Sequence, residues 1–275
     1  MSVRVTDAIG QRFIPRRWQR IVSLVPSLTE TLFSYGAGDA VVGATRYCVE
    51  PVAALARLPK VGGTKNPKLA IIRGLRPDLV IASVEENRKE DVEALIAEGL
   101  AVYVTLPTSV AGAIATLADL ARLVRAEEAA QPMLAEMREA LDAAEAESAG
   151  AAPLPYFCPI WRRPYMTSGP GTYMHDLLRV CGGVSVCGAG EARYFEIGLD
   201  QVAASRPQLV LLPDEPYPFA ERHKADFGAY PEMPAVAAGA IHCIDGKLLT
   251  WYGPRTADGL RTIRSLVARA ARRDP

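Results

Sequence analysis

The sequence predicts an α/β fold of two Rossmann-like lobes, each with a central parallel sheet, joined by one long α-helix. Three observations carry this. Residues 74–83 (GLRPDLVIAS) are echoed at 204–213 (ASRPQLVLLP), so that Arg76-Pro77 precedes Arg206-Pro207 by 130 positions. Short, nearly continuous apolar runs alternate with helical patterns in both halves, as expected of parallel strands covered on both faces. Finally, at 275 residues the chain exceeds the usual size of a single core, and its middle is almost unbroken in helix-forming residues.

The elements follow in order. Arg20–Pro26 (RIVSLVP) is a β-branched run ended by proline, hence a buried strand. Ser27 to Glu30 (SLTE) has the spacing of a capping box that opens a helix, closed by Gly36 and Gly38. Strands are predicted over Val41–Thr45 and Asp78–Ser83, an amphipathic helix over Glu85–Glu98 closed by Gly99, and a fourth strand over Ala101–Thr105. Together they make an N-terminal lobe over about 1–125. From Val110 the pattern reads as a helix to about 124 and a second helix ending near Ser148, with Pro132 as the only breaker. A helix of 20 residues is about 30 Å long, enough to run from one domain to another. Residues 126–148 are therefore assigned as an interdomain backbone helix, with two surface helices of one domain as the alternative. After a linker at 149–155 the βα pattern restarts: strands over Tyr156–Ile160, Leu209–Pro213 and Ile241–Asp245, and helices over Thr172–Val180, Leu199–Ala204 and Thr256–Ala270. These define a C-terminal lobe over 149–275.

Composition narrows the function. Lys+Arg and Asp+Glu are both 31, so no net field favours nucleic acid or anionic lipid. The five cysteines at 48, 158, 181, 187 and 243 form no CxxC pair and are odd in number, which reads as reduced thiols rather than a disulfide framework or a zinc site. Residues 1–20 carry scattered charge and no apolar run, and the first apolar stretch is broken by Pro26, Ser27, Thr29 and Glu30. It is neither a leader nor a span, which needs about 20 apolar residues. The expectation is a cytoplasmic protein, periplasmic only if a leader had been removed.

Open α/β sheets bind ligands beyond the carboxyl ends of their strands, and facing lobes make a cleft for small molecules. The residues just past the predicted strands are rich in aromatics and arginines: Arg46 and Tyr47 in the first lobe, and Trp161, Arg162, Arg163, Tyr217, Trp251, Tyr252 and Arg255 in the second. Ser27 and Glu215 share that placement. Aromatic walls with guanidinium forks suit a large, partly apolar ligand bearing carboxylates or amides. TSGPGT at 167–172 opens a helix without a Walker lysine and reads as a turn. His175, His223 and His242 are too far apart for a local metal motif, and no G-x-S-x-G elbow is present.

The stretches RIVSLVPSLTETLFSYGAGDAVVGATRYC, LPKVGGTKNPKLAIIRGLRPDLVIAS, TSGPGTYMHDLLRVCGG and DGKLLTWYGPR resemble the helical-backbone metal-receptor family, from about residue 20 to 270. These are class III substrate-binding proteins, the cobalamin- and ferric-siderophore-binding components of ABC importers, and the resemblance is to the cobalamin-binding branch. It implies two α/β lobes joined by one long helix. It also implies a non-catalytic protein without a cofactor, holding a corrinoid or other metal chelate in the cleft between its lobes. By the same resemblance, the position of Tyr47 contacts the corrin, as do aromatics near Trp161 and the Trp251–Arg255 segment. Two features depart from the pattern. Thr64-Lys65 stand where a pocket tryptophan is expected, which leaves the chelate open. Of the two acidic positions that dock on the permease, one is Ala70 and the other Asp200, so permease docking is in question. The alternatives are a ferric-siderophore receptor and a chelatase-like enzyme of tetrapyrrole metabolism, for which His175 and Glu215 would be the metal-site pair.

Overall fold

The structure is a computed structural model and describes residues 4–188 and 192–272. The chain divides into two compact units, one of residues 1–107 with 114–135, the other of residues 108–113 with 136–275.

The first unit opens with a small antiparallel hairpin, β1 (Val5–Thr6) with β2 (Arg12–Phe13). Its main sheet has β3 (Ile21–Ser23), β4 (Val41–Ala44), β5 (Leu79–Ser83) and β6 (Val102–Thr105), in the order β4-β3-β5-β6, every pair parallel. Val22, Leu24, Val80, Ala82, Val102 and Val104 interlock in its interior, none more than 7% exposed. The second unit has β7 (Leu154–Phe157), β8 (Pro159–Trp161), β9 (Met166–Ser168), β10 (Gly183–Ser185), β11 (Tyr194–Glu196), β12 (Leu209–Pro213) and β13 (Ile241–Ile244). Its main sheet runs β10-β7-β12-β13, again all parallel. Counting only main-sheet strands along the chain, both units have the order 2-1-3-4.

The repeated phrase is thus a repeated structure. Helices Leu69–Gly74 and Leu199–Ala204, and strands β5 and β12, stand at the same offset of 130 residues. Between them, Arg76 and Arg206 adopt left-handed φ values of 47° and 51°. A proline next in sequence disfavours the right-handed helical conformation, so the helix must end there. The amide of Arg76 then donates to the carbonyl of Arg73 (2.9 Å), and that of Arg206 to Ala203 (3.0 Å). Two residues later the chain joins the sheet: Asp78 N–H donates to Arg20 O (2.9 Å) and Gln208 N–H to Pro155 O (2.8 Å).

Several elements differ from expectation. The first helix begins at Pro26, with Val25 as an N-cap that makes no side-chain bond. Proline at the first helical position supplies a fitting φ, and this places Ser27 inside the helix, so no capping box forms. Its hydroxyl is buried with no hydrogen-bond partner. The helix expected from Glu85 starts at Lys89, because Asn87 turns its side chain back to accept from Ser83 N–H (2.8 Å) and to donate to Thr64 O (3.0 Å). The strand expected over 156–160 is two strands: β7 in the parallel sheet, and β8 in a separate antiparallel sheet of order β11-β9-β8.

The central helices span Val110–Val124 and Glu127–Ser148, the second with Pro132 at its sixth position. Arg125, at φ 60°, separates them. No helix of the described residues is long and apolar enough to cross a membrane.

Leu79 and Leu209, equivalent in the two units, are fully buried. Leu79→Ala and Leu209→Ala are each expected to cost about 2–5 kcal/mol, the range for emptying a buried leucine site. Urea unfolding of both variants measures this, and a loss below 1 kcal/mol at either position contradicts the equivalence. His223 is 4% exposed, and its Nδ1 accepts from Ala220 N–H (2.9 Å). Burial, with Arg222 and Arg162 nearby, lowers its pKa from the ordinary value. A folded-state pKa below the unfolded one gives stability that is complete above the unfolded value of about 6.5 and is lost as pH falls toward the folded one. The stability difference between wild type and His223→Gln should therefore shrink from pH 7.5 to pH 5. A constant difference across that range would show that the imidazole proton plays no part.

Candidate functional site

In the first unit the carboxyl end of the sheet is closed by polar contacts within its own loops. Thr29, in the first turn of helix Pro26–Ser34, donates to Val25 O (2.8 Å) and lies within hydrogen-bond distance of Ser23 Oγ (2.8 Å) and Cys48 Sγ (3.2 Å). Thr45 Oγ1 lies 3.1 Å from the same sulfur. Burial pushes the Cys48 thiol above its ordinary pKa. This anchored turn carries Arg46 and Tyr47 outward. Tyr47 is 50% exposed, the Arg46 guanidinium lies 5.0 Å from its ring centroid, and Arg46 Nη2 donates to its hydroxyl (3.1 Å). Gly63 lies against this pair: a Cβ there would stand 3.2 Å from the Tyr47 ring.

In the second unit the face is aromatic. Trp161, at the end of β8, is 44% exposed and meets Tyr217 edge to face at 5.6 Å. Tyr217 is in turn 4.7 Å from Phe219. Arg162 gives both Nε and Nη2 to the Asp226 carboxylate, at 2.6 and 2.8 Å, and Tyr165 donates its hydroxyl to the same carboxylate. The ion pair holds the Asp226 carboxyl below its ordinary range.

Beyond β12 and β13 the chain needs a close approach. A Cβ on Gly246 would come within 2.5 Å of Glu215 Cγ, so only glycine fits. Its N–H donates to Asp214 Oδ1 (2.8 Å), and Thr250 donates to Glu215 Oε1 (3.0 Å). Burial raises the Glu215 pKa, partly offset by Thr250 and Trp251. The Trp251 ring has Lys247 Nζ and Arg255 Cζ at 5.4 and 5.6 Å from its centroid.

The predicted site residues therefore fall into distinct groups. Tyr47 and Trp161 stand out as exposed aromatics. Tyr217 supports Trp161. Glu215, Trp251 and Arg255 form a second cluster in the same unit. Tyr252 and Trp251 are only 3% and 7% exposed, and Tyr252 packs edge to face on buried Tyr173, so both are largely interior side chains. The Arg162 fork is occupied by Asp226, and the Ser27 oxygen is enclosed. The TSGPGT turn is internally satisfied: Thr167 donates to Cys158 O, and Thr172 donates to Gly169 O while capping helix Tyr173–Val180. His175 Nδ1 has no partner, whereas Glu215 is bonded to Thr250. Among the described residues no three His, Cys, Asp or Glu side chains gather to hold a metal. Sequence reasoning missed Asp226, which lies in the 3-10 segment Glu221–Phe227 with no motif around it, and Lys247, which DGKLLTWYGPR would have offered.

A family profile described as periplasmic binding protein matches residues 21–247. The vitamin B12-binding protein of Salmonella choleraesuis is 30% identical over 197 residues, 70% of this chain and 71% of its own length. The crystal structure of the periplasmic vitamin B12 binding protein BtuF of Vibrio cholerae aligns with a TM-score of 0.83 at 24% identity, covering 94% of this chain and 99% of that one. The periplasmic heme-binding protein RhuT from Roseiflexus sp. RS-1 aligns at 0.80 and 22% identity, covering 92% and 99%. At such identities the structural likeness speaks for the fold.

The comparisons overturn the cytoplasmic expectation. The matching family and these solved structures are periplasmic proteins. That expectation rested on an apolar segment not seen at residues 1–20 and on unpaired cysteines, neither of which distinguishes compartments here. With the profile spanning 21–247, this chain belongs to the periplasmic binding protein family.

Proposed function

We propose that this chain is a non-catalytic solute-binding protein that holds a corrinoid or another metal chelate and presents it to an ABC permease. The observation that carries the reading is a half-exposed aromatic at the carboxyl end of a strand in each unit, Tyr47 and Trp161, each braced by its neighbours. A ring left half in water, with its edge or face fixed, is a stacking surface for a flat, partly apolar macrocycle. The cations at Lys247, Arg255 and Arg46 suit amide or carboxylate substituents at the rim of such a ligand. The relatives named for vitamin B12 and heme support this ligand class. The helix over 127–148 is the proposed backbone between lobes of about 1–125 and 149–275.

For permease docking, positions 70 and 200 are related by the same 130-residue offset. Asp200 supplies a carboxylate, held by the Tyr230 hydroxyl at 2.7 Å, while Ala70 supplies no charge. Docking on the Asp200 side alone is the proposed arrangement.

Titration with cyanocobalamin, cobinamide, haemin and ferric siderophores, followed by tryptophan quenching, tests the reading. Trp161→Ala is expected to weaken the best ligand by about 2–4 kcal/mol and Tyr47→Ala by about 1–2 kcal/mol, as truncations of aromatic anchors do. Melting temperatures should stay near wild type, since both side chains are half exposed. Wild-type affinity in both variants would remove the assignment. Reconstitution with the permease of the same importer tests docking: Asp200→Ala should abolish ligand-dependent stimulation of its ATPase activity, and undiminished stimulation would contradict the arrangement.

A further inference from the structure

We infer that Asp226 is a positioning residue for ligand binding, fixing the pose in which Trp161 is presented. The inference rests on the proposed role of Trp161 as a ligand contact. Trp161 is the last residue of β8, and the turn into β9 spans residues 162–165, with Arg163 in a left-handed conformation at φ 64°. The pairing of β8 with β9 is irregular at this end, shifting register between Pro159 and Trp161, so the ladder alone does not define the tryptophan. Something else must hold the turn.

Asp226 does so from 61 to 64 residues away in sequence. Its carboxylate takes the Arg162 guanidinium through two parallel N–H···O bonds and the Tyr165 hydroxyl through a third, pinning both ends of the turn at one point. A bidentate fork fixes direction as well as distance. Arg162 and Asp226 side chains are only 16% and 22% exposed, so water screens this pair less than a surface one. Trp161 is the residue next to Arg162, so fixing Arg162 at the start of the turn also restrains the backbone that carries the indole. The aromatic contacts close the loop: Tyr165 stacks on Phe219 (6.3 Å between centroids, 16° between planes), Phe219 touches Tyr217, and Tyr217 and Trp161 meet edge to face. One carboxylate thereby orders a wall that starts at the turn and returns to it.

The test uses the full chain with 5-fluorotryptophan at its three tryptophans, each 19F resonance assigned by Trp→Phe substitution, and cyanocobalamin and haemin as probes. Asp226→Asn keeps the shape and removes the charge; Tyr165→Phe removes one bond and guards against a fold lost in the first variant. Both should shift or broaden the Trp161 resonance while leaving that of Trp18, in the other unit, in place. Asp226→Asn should weaken the tighter probe about tenfold, mostly through faster dissociation, and Asp226→Glu should recover part of the loss. In the Trp161→Ala background, Asp226→Asn should cost less than twofold. A Trp161 resonance unmoved by both variants, or losses that multiply independently in the double variant, overturns the inference. If Trp161→Ala binds both probes like wild type, while in the Trp161-containing protein the Trp161 resonance still responds to Asp226→Asn, the ligand reading of Trp161 has failed, and the role given to Asp226 fails for that separate reason.

Discussion

A parallel strand buried on both faces has no place for polar chemistry except its ends, and this constraint organises both units. β5 and β12 are buried at every residue, so the side chains that meet water or a ligand are displaced to the loops that follow. In the first unit those loops are tied by small polar contacts around Thr29, Thr45 and Asn87. In the second they are tied by rings and by the Arg162–Asp226 pair. The same sheet order therefore ends in two different surfaces.

What the sequence revealed follows from how local each signal is. The Arg-Pro turns are set by neighbours one to three residues away, and both the turns and the strands after them could be read directly. The left-handed φ at Arg76 and Arg206 was hidden, because arginine gives no sign of a conformation usually taken by glycine. The capping box at Ser27 failed for a comparable reason: the proline before it decided the helix start. The antiparallel sheet of β8, β9 and β11 was missed because its strands are three residues each, too short for an alternating pattern to register.

The candidate site was legible by position and less so by role. Tyr47 and Trp161 emerged from the rule that ligands meet strand ends, and both are half exposed. Trp251 and Tyr252 emerged from the same rule, yet their segment folds back over Glu215 and Tyr173, a close approach that depends on Gly246 and on contacts far apart in sequence. A guanidinium beside a tryptophan suggests a ligand contact, so Arg162 reads as a binder from the sequence. Its partner at 226 is the kind of long-range contact that a single sequence does not announce.

The reactivity of the cysteines depends on how readily each thiol ionises. All five are free, and Cys48, Cys158 and Cys181 are buried. Burial raises every one of these thiols, Cys181 to about 12 and the partly buried Cys187 to about 11. Exchange with a disulfide requires the thiolate, and raising a thiol's pKa lowers the thiolate fraction at neutral pH. Even exposed Cys243 is shifted upward, by partial burial and by Glu221 beside it. The enclosure that stabilises the sheets thus also disfavours the thiolate form of the cysteines within it.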